Sequence, residues 1–413
     1  MQIIAALGLM LPSKKALNFV FLSGLSSAFF CADWVDARPL ASQSNFLIPE
    51  PFIAPGYKDS YPAVLDPYPN KPRITFREDG SFKLTVFSDL HFGENPSEWG
   101  PEQDANSTRL MEKLLSLENP DFVVLNGDLI TGENTFRENS TRLIDKIVAP
   151  LRDAELPFAS THGNHDSHTN ISHLEEIQRE LLVAPTSYTR AAPDGVGGDG
   201  GPGNYWVPVY RDKNDHAPVL ILWFFDSRGG RYPGDDSAHV PDWVDSSVSR
   251  WIKSETSAMN AAWGPAETRS AVAFVHIPPH AIEAVQKHLN SAKNPGLNGD
   301  KLGPGSTQAT EDPATKNKDM AFWNSLTENV KNLRVVISGH DHGNEWCARE
   351  PTKRIIFCFD KHSGYGGYSY QGWGRGVRNL IFLSPDPRDS IETYIRLENG
   401  SSKYKVALND EFQ

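Results

Sequence analysis

Positive charge is in short supply. The 413-residue chain carries 40 Lys and Arg against 52 Asp and Glu, a formal net charge of −12 at pH 7. A general nucleic-acid binder needs a basic footprint, so no nucleic-acid partner is expected. Cysteine is scarcer still, with three residues. None falls in the polar clusters described below, which argues against a closed, thiolate-built zinc site. Beyond residue 32 no stretch is apolar enough to cross a bilayer, so no stable membrane insertion is expected once a leader is removed. What is present is core material. Hydrophobic residues make up 39%, enough to exclude global disorder, and the length suits one large α/β domain or two smaller ones.

The first residues read as a targeting segment. Lys14 and Lys15 precede a short apolar run, 16–22, followed by small residues up to Ala32. A basic flank, a short apolar run and small residues suit a secretory signal over residues 1–32, with a retained anchor as the alternative. Cleavage after Ala28, Ala32 or Ala37 fits equally. Asn-x-Ser/Thr triplets at Asn106, Asn139, Asn170 and Asn399 are candidate glycosylation sites on surface loops. Cleavage after Ala32 or Ala37 removes Cys31 with the signal. Cys347 and Cys358 are then a disulfide in an oxidising compartment or two buried thiols, the bridge being the expectation. The expected location is secreted or within an endomembrane or vacuolar lumen.

Residues 33–72, rich in Pro, Ser and Tyr, read as an extended arm. A single domain is expected over 73–413. Apolar runs at 82–89, 121–128, 219–226, 271–276 and 333–340 each end in polar side chains. A continuous apolar run implies burial on both faces, hence a sheet that is covered on each side. Helical spacing appears at 108–117, 141–154, 240–259 and 320–330, with Trp243 and Trp251 on the apolar side of the third. Strand–helix–strand rhythm is the α/β signature. Residues 296–318 read as a long polar surface loop.

The polar strand ends are the unusual feature. Residues 158–166 form a short strand that breaks at Gly163 into Asn164, His165 and Asp166. Such groups are unfavourable in a packed core without partners. Asp89 and His91, Asp128, His276, and His340 and His342 arrive at four further strand ends, where ligands of α/β folds gather. Phosphate esters resist attack because the reacting group is already negative. Two cations about 3.5–4 Å apart neutralise it and make hydroxide available near neutral pH. Asp128, a single carboxylate at the tip of a buried strand, is the natural bridge. Mixed N/O ligands suit Zn, Fe or Mn.

The order D-x-H, G-D, G-N-H-D, H, G-H-x-H, spanning about Lys83 to His342, resembles the calcineurin-like metallophosphoesterases. The resemblance implies a four-layer α/β/β/α sandwich of two mixed sheets and a dinuclear centre. It places Asp89, His91, Asp128 and His342 on one metal, and Asp128, Asn164, His276 and His340 on the other. It makes His165 the general acid or transition-state stabiliser, oriented by Asp166. The stretches around 87–94, 99–104 and 339–347 resemble a subgroup of fungal cell-cycle phosphatases and plant purple-acid-phosphatase-like proteins. True purple acid phosphatases carry G-D-x-x-Y, whose Tyr binds ferric iron; here that place is Thr131.

The implied activity is phosphomonoester hydrolysis by a metal-bound hydroxide, acting on a phosphorylated small molecule or protein. Phosphodiester cleavage and a non-catalytic phospho-ligand scaffold are the alternatives. Arg228 and Arg231 are candidates to pair with a substrate phosphate, or else solvated loop residues. The Gly- and aromatic-rich loop 363–375 either walls the pocket or forms surface turns.

Overall fold

The computed structural model describes residues 65–310, 312–370 and 372–413. The signal segment and the arm up to residue 64 lie outside these residues. The described end of the arm is held down: Tyr68 is buried, and its hydroxyl donates to the Tyr188 carbonyl at 2.6 Å. Elements are numbered in chain order; β7 (Arg231–Tyr232) and β8 (Asp235–His239) form a separate two-stranded pair, and α5 (Glu283–Gln286) is a single turn.

Successive side chains of a strand point to opposite faces. In β6 (Leu220–Phe225), Leu220, Leu222 and Phe224 enter one core, while Ile221, Trp223 and Phe225 enter another. The strand therefore needs cover on both sides. It lies in a seven-stranded mixed sheet ordered β1 (Ile74–Thr75), β5 (Tyr205–Tyr210), β6, β9 (Ser270–Val275), β10 (Leu333–Ser338), β12 (Ile356–Phe359), β11 (Cys347–Arg349). From β6 through β12 the strands run parallel. A six-stranded sheet runs β15 (Ser402–Leu408), β14 (Ile391–Leu397), β13 (Gly376–Phe382), β2 (Phe82–Phe87), β3 (Phe122–Asn126), β4 (Phe158–Thr161). Here β2, β3 and β4 are parallel and the rest antiparallel.

The two sheets meet face to face through Leu84, Val86 and Val124 on one side and Leu222, Phe224 and Phe274 on the other. Burial of each such side chain contributes about 1.5–3 kcal/mol. The outer face of the larger sheet is covered by α4 (Ser247–Trp263) and α6 (Met320–Asn329), through Ile252, Phe322 and Leu326. The outer face of the smaller is covered by α1 (Gly100–Glu118) and α2 (Arg142–Asp153), through Leu110, Leu114 and Ile147. The layers are thus α/β/β/α, as the resemblance implies. No helix among the described residues is long and apolar enough to cross a membrane.

Some boundaries differ from the sequence expectation. α4 begins at Ser247, not 240: Pro241 precedes it, and Asp245 Oδ1 accepts the Ser247 N–H at 2.8 Å. Trp243 therefore stands before the helix. β5 hides behind Pro208, which suits a strand whose outer partner β1 reaches only Val209 and Tyr210. α3 (His173–Val183) buries Glu176 and Glu180, so apolar periodicity does not mark it. Its signal is the capping pair Ser172 and Glu175.

Candidate metal centre

The carboxyl ends of β2, β3 and β4 in one sheet face those of β9 and β10 in the other. His340 N–H donates to Asp89 Oδ1 at 3.0 Å, across the two sheets. Within the smaller sheet the loops are laced together. Asp89 N–H donates to the Gly127 carbonyl and His91 N–H to that of Asp128, both at 3.0 Å. Asp89, His91, Asp128 and His340 have φ of 55°, 48°, 48° and 71°. That left-handed conformation costs a side-chain-bearing residue roughly 1–3 kcal/mol and concentrates at functional sites. Gly127, with φ of 83°, leaves room for the His276 ring, which a Cβ would meet at 2.5 Å.

Two donor groups result. Ligand atoms of Asp89, His91 and His342 all lie within 4.8 Å of one another, as do those of Asp128, His276 and His340. Asp128 reaches both: its Oδ2 is 2.9 Å from His276 Nε2 and 3.8 Å from His91 Nε2. His91 Nε2 and His342 Nε2 are 3.2 Å apart. Asn164 follows Gly163, which packs against Asp128 and His276 at the end of β4, and precedes His165, whose N–H donates to Asp128.

Each imidazole is held through its other nitrogen, which leaves one lone pair free for a cation. His276 Nδ1 bonds the Asn126 carbonyl at 2.8 Å and His342 Nδ1 that of Tyr368 at 2.7 Å. His340 Nε2 bonds the Gly305 carbonyl at 2.8 Å, and His91 Nδ1 the Thr131 hydroxyl at 3.2 Å. Thr131, standing where purple acid phosphatases have Tyr, thus orients a ring. Burial holds His91 down at about 3, and burial with the neighbouring His276 holds His340 down at about 4, so both rings are neutral. Burial also opposes a charge on His276, but Asp128 outweighs it and raises this ring to about 10. Its proton stands where a cation would. Asn164 Oδ1 is buried with no hydrogen-bond partner. Four imidazoles, two carboxylates and an orphaned amide oxygen fit a pair of divalent cations.

His165 is fixed from two sides. Its N–H donates to Asp128 Oδ1 at 2.8 Å, and its Nδ1 lies 2.7 Å from Glu133 Oε1. Asp166 does not orient this ring, contrary to expectation. Its buried carboxylate accepts the N–H groups of Gly163 at 2.8 Å and Ile130 at 2.9 Å, pinning the two loops to each other. Glu133, in a single 3-10 turn (Gly132–Asn134) after β3, does the orienting.

The sequence profile of calcineurin-like phosphoesterases matches residues 82–344. The chain belongs to this family. Phosphatase DCR2 of Saccharomyces cerevisiae is 29% identical over 351 residues, 80% of this chain and 56% of that protein. Probable inactive purple acid phosphatase 28 of Arabidopsis thaliana is 26% identical over 357 residues, 80% of this chain and 84% of that one. These relatives are of the fungal and plant subgroup expected. The match spans little more than half of the yeast protein. A dimetal phosphatase from Danio rerio aligns in structure with a TM-score of 0.48 and 13% identity, covering 80% of this chain and 99% of that one.

In this calcineurin-like chain a cavity of about 470 Å³ opens over the donor groups. Loop 296–318, expected as surface, instead forms a wall of it through Asp300, Gly305 and Ser306. Loop 363–375 supplies Gly367 and Tyr368. Tyr368 stacks on His342 at 4.1 Å, and His362 stacks on it at the same distance. Arg228 and Arg231 do not line the cavity. Arg228 is buried, and its Nε donates to the Trp243 carbonyl at 2.8 Å; Arg231 bonds the Asp236 carbonyl. The turn that carries them serves the site through Gly229, packed behind Asn164.

Cys347 and Cys358 are bonded to each other, joining β11 to β12. Asn139 and Asn399 are exposed. Asn106 lies on α1 rather than a loop, and the Asn170 amide donates to the Thr135 carbonyl at 2.7 Å.

Proposed function

We propose that the chain is a dinuclear-metal-dependent phosphomonoesterase of a lumenal or secreted compartment. The observation that carries this reading is the meeting of two donor groups with the Asp128 carboxylate reaching into both. Two bound divalent cations would supply Lewis acidity toward phosphoryl oxygens and lower the pKa of water.

The chain's own residues supply position and a proton. Asp128 Oδ1 seats the His165 backbone, and Glu133 holds Nδ1–H. This leaves Nε2 of a cavity-lining residue to hand its proton to the departing alcohol oxygen. Thr131, Asn126, Gly305 and Tyr368 hold the four donor rings in place. The Cys347–Cys358 bond and the exposed Asn139 and Asn399 support the oxidising compartment.

The test compares p-nitrophenyl phosphate with its bis-ester on metal-loaded chain. The monoester should be hydrolysed faster. A preference for the bis-ester would replace this reading with a phosphodiesterase. Turnover of neither, with metal bound, would favour a binding scaffold.

A further inference from the structure

The cavity walls carry a charge that phosphate chemistry does not call for. Phosphate sites commonly add Arg or Lys to their metals. Among the described residues that line this cavity there is neither. Beyond the donor residues, the lining carries Glu94, Glu133, Asp300 and Asp341. Carboxylates repel a phosphate, so these four serve something other than its capture.

Two of them have occupations. Glu133 holds His165, and Glu94 accepts the Gly367 N–H at 2.7 Å. The corner of Asp300 and Asp341 is different. Asp341 is 6% exposed, lies on the cavity wall, and its buried Oδ2 has no hydrogen-bond partner. Asp300 stands beside it, accepting the Gly343 N–H at 3.0 Å and the Tyr368 hydroxyl at 3.3 Å. Two carboxylates share a corner where one is almost wholly desolvated. A cationic ligand would relieve that arrangement.

Aromatic faces flank the same corner. Tyr368 meets Trp373 edge-on at 6.2 Å, and Tyr370 meets Trp373 at 4.9 Å. Tyr368 and Tyr370 are 48% and 67% exposed. Exposed aromatic faces beside carboxylates are the setting that holds an ammonium group. The corner is also close to the metal centre. The Tyr368 hydroxyl that reaches Asp300 also accepts the His342 N–H at 2.8 Å. A short alkyl spacer spans that separation.

We propose that the substrate's alcohol carries an ammonium group a few bonds from its phosphate, as in an aminoalkyl phosphate, and that Asp300, Asp341 and the Tyr368–Trp373 loop bind it. The phosphate end rests on the phosphatase reading above; the cation end rests on the acidic corner and its aromatic flank.

Two measurements keep these apart. Titration calorimetry on the full chain compares choline with its uncharged carbon isostere, dimethylbutanol, and needs no turnover. Choline should bind about tenfold tighter, the scale of a cation held by a carboxylate and an aromatic face. Asp300→Asn should close most of that gap. The second measurement is the ratio of kcat/KM for aminoethyl phosphate to that for ethyl phosphate, again expected at about tenfold. It should fall toward one in Asp300→Asn, and in Trp373→Leu should the first variant not fold. Equal binding of choline and its isostere, or a ratio near one while p-nitrophenyl phosphate is hydrolysed, overturns the proposal and leaves the phosphatase reading standing. Choline discrimination without turnover of any monoester upholds the cation corner and removes the phosphatase.

Discussion

Glu133→Gln isolates the contact that orients His165. Glu133 Oε1 and His165 Nδ1 are 2.7 Å apart, on side chains 34% and 37% exposed. Burial pulls the imidazole down, but Asp128 and then Glu133 raise it to about 9. The folded pKa lies above the ordinary value of about 6.5. The protonated ring therefore adds stability below about pH 6.5 that is lost as pH rises through 9. Both groups are partly exposed, so solvent screens the pair, and such pairs contribute about 0.2–1 kcal/mol. At 1.36 kcal/mol per unit, losing the carboxylate should lower the His165 pKa by roughly half a unit. The catalytic sign follows. A proton donor works only when protonated, so activity falls as pH rises through its pKa. In Glu133→Gln this alkaline limb should move to lower pH by the same half unit. Loosened orientation should also reduce kcat by about tenfold, with little change in KM. The assay is a pH–rate profile on an alkyl phosphate, whose poor leaving group needs the proton, alongside an NMR titration of His165. An unmoved alkaline limb and an unchanged kcat would refute the role given to Glu133.

Two further outcomes are expected. Because Asp128 keeps His276 protonated up to about pH 10 and a ligand ring must be neutral, metal loading near pH 7.5 should release about one proton. Apparent affinity should therefore rise with pH below 10; calorimetry in buffers of different ionisation heat measures the release, and none would contradict the ligand role. Cys347→Ser opens a loop of sequence separation 11 and should destabilise the fold by about 2–3 kcal/mol. An unchanged urea midpoint would show the bond to be thermodynamically idle.

The strand ends were legible because each breaks a rule: an apolar run buried on both faces stops at Asp, His or Asn. Asp89, Asp128, His276 and His340 carry that signal in their neighbours. Asp166 carries it too, yet its partners are backbone N–H groups, Gly163 in its own loop and Ile130 in a second one, and no local pattern shows the latter. Glu133 lies in a single 3-10 turn and Asp300 in a loop, both too short or irregular for periodicity, and only the packing of distant loops brings them to the cavity. Arg228 and Arg231 follow a strand and resemble phosphate ligands in sequence. Arg228 is instead consumed by Trp243, a residue that apolar spacing had assigned to a helix face. α3 escaped because its buried face holds Glu176 and Glu180, which no apolar period includes.

Metal content of the purified, folded chain is the most direct measurement. Two divalent ions per chain are expected, falling to about one or fewer in Asp128→Asn with the fold retained. A folded chain that takes up no metal at saturating concentration, or an Asp128→Asn variant that keeps both ions, would contradict the shared dinuclear centre on which the proposed function stands.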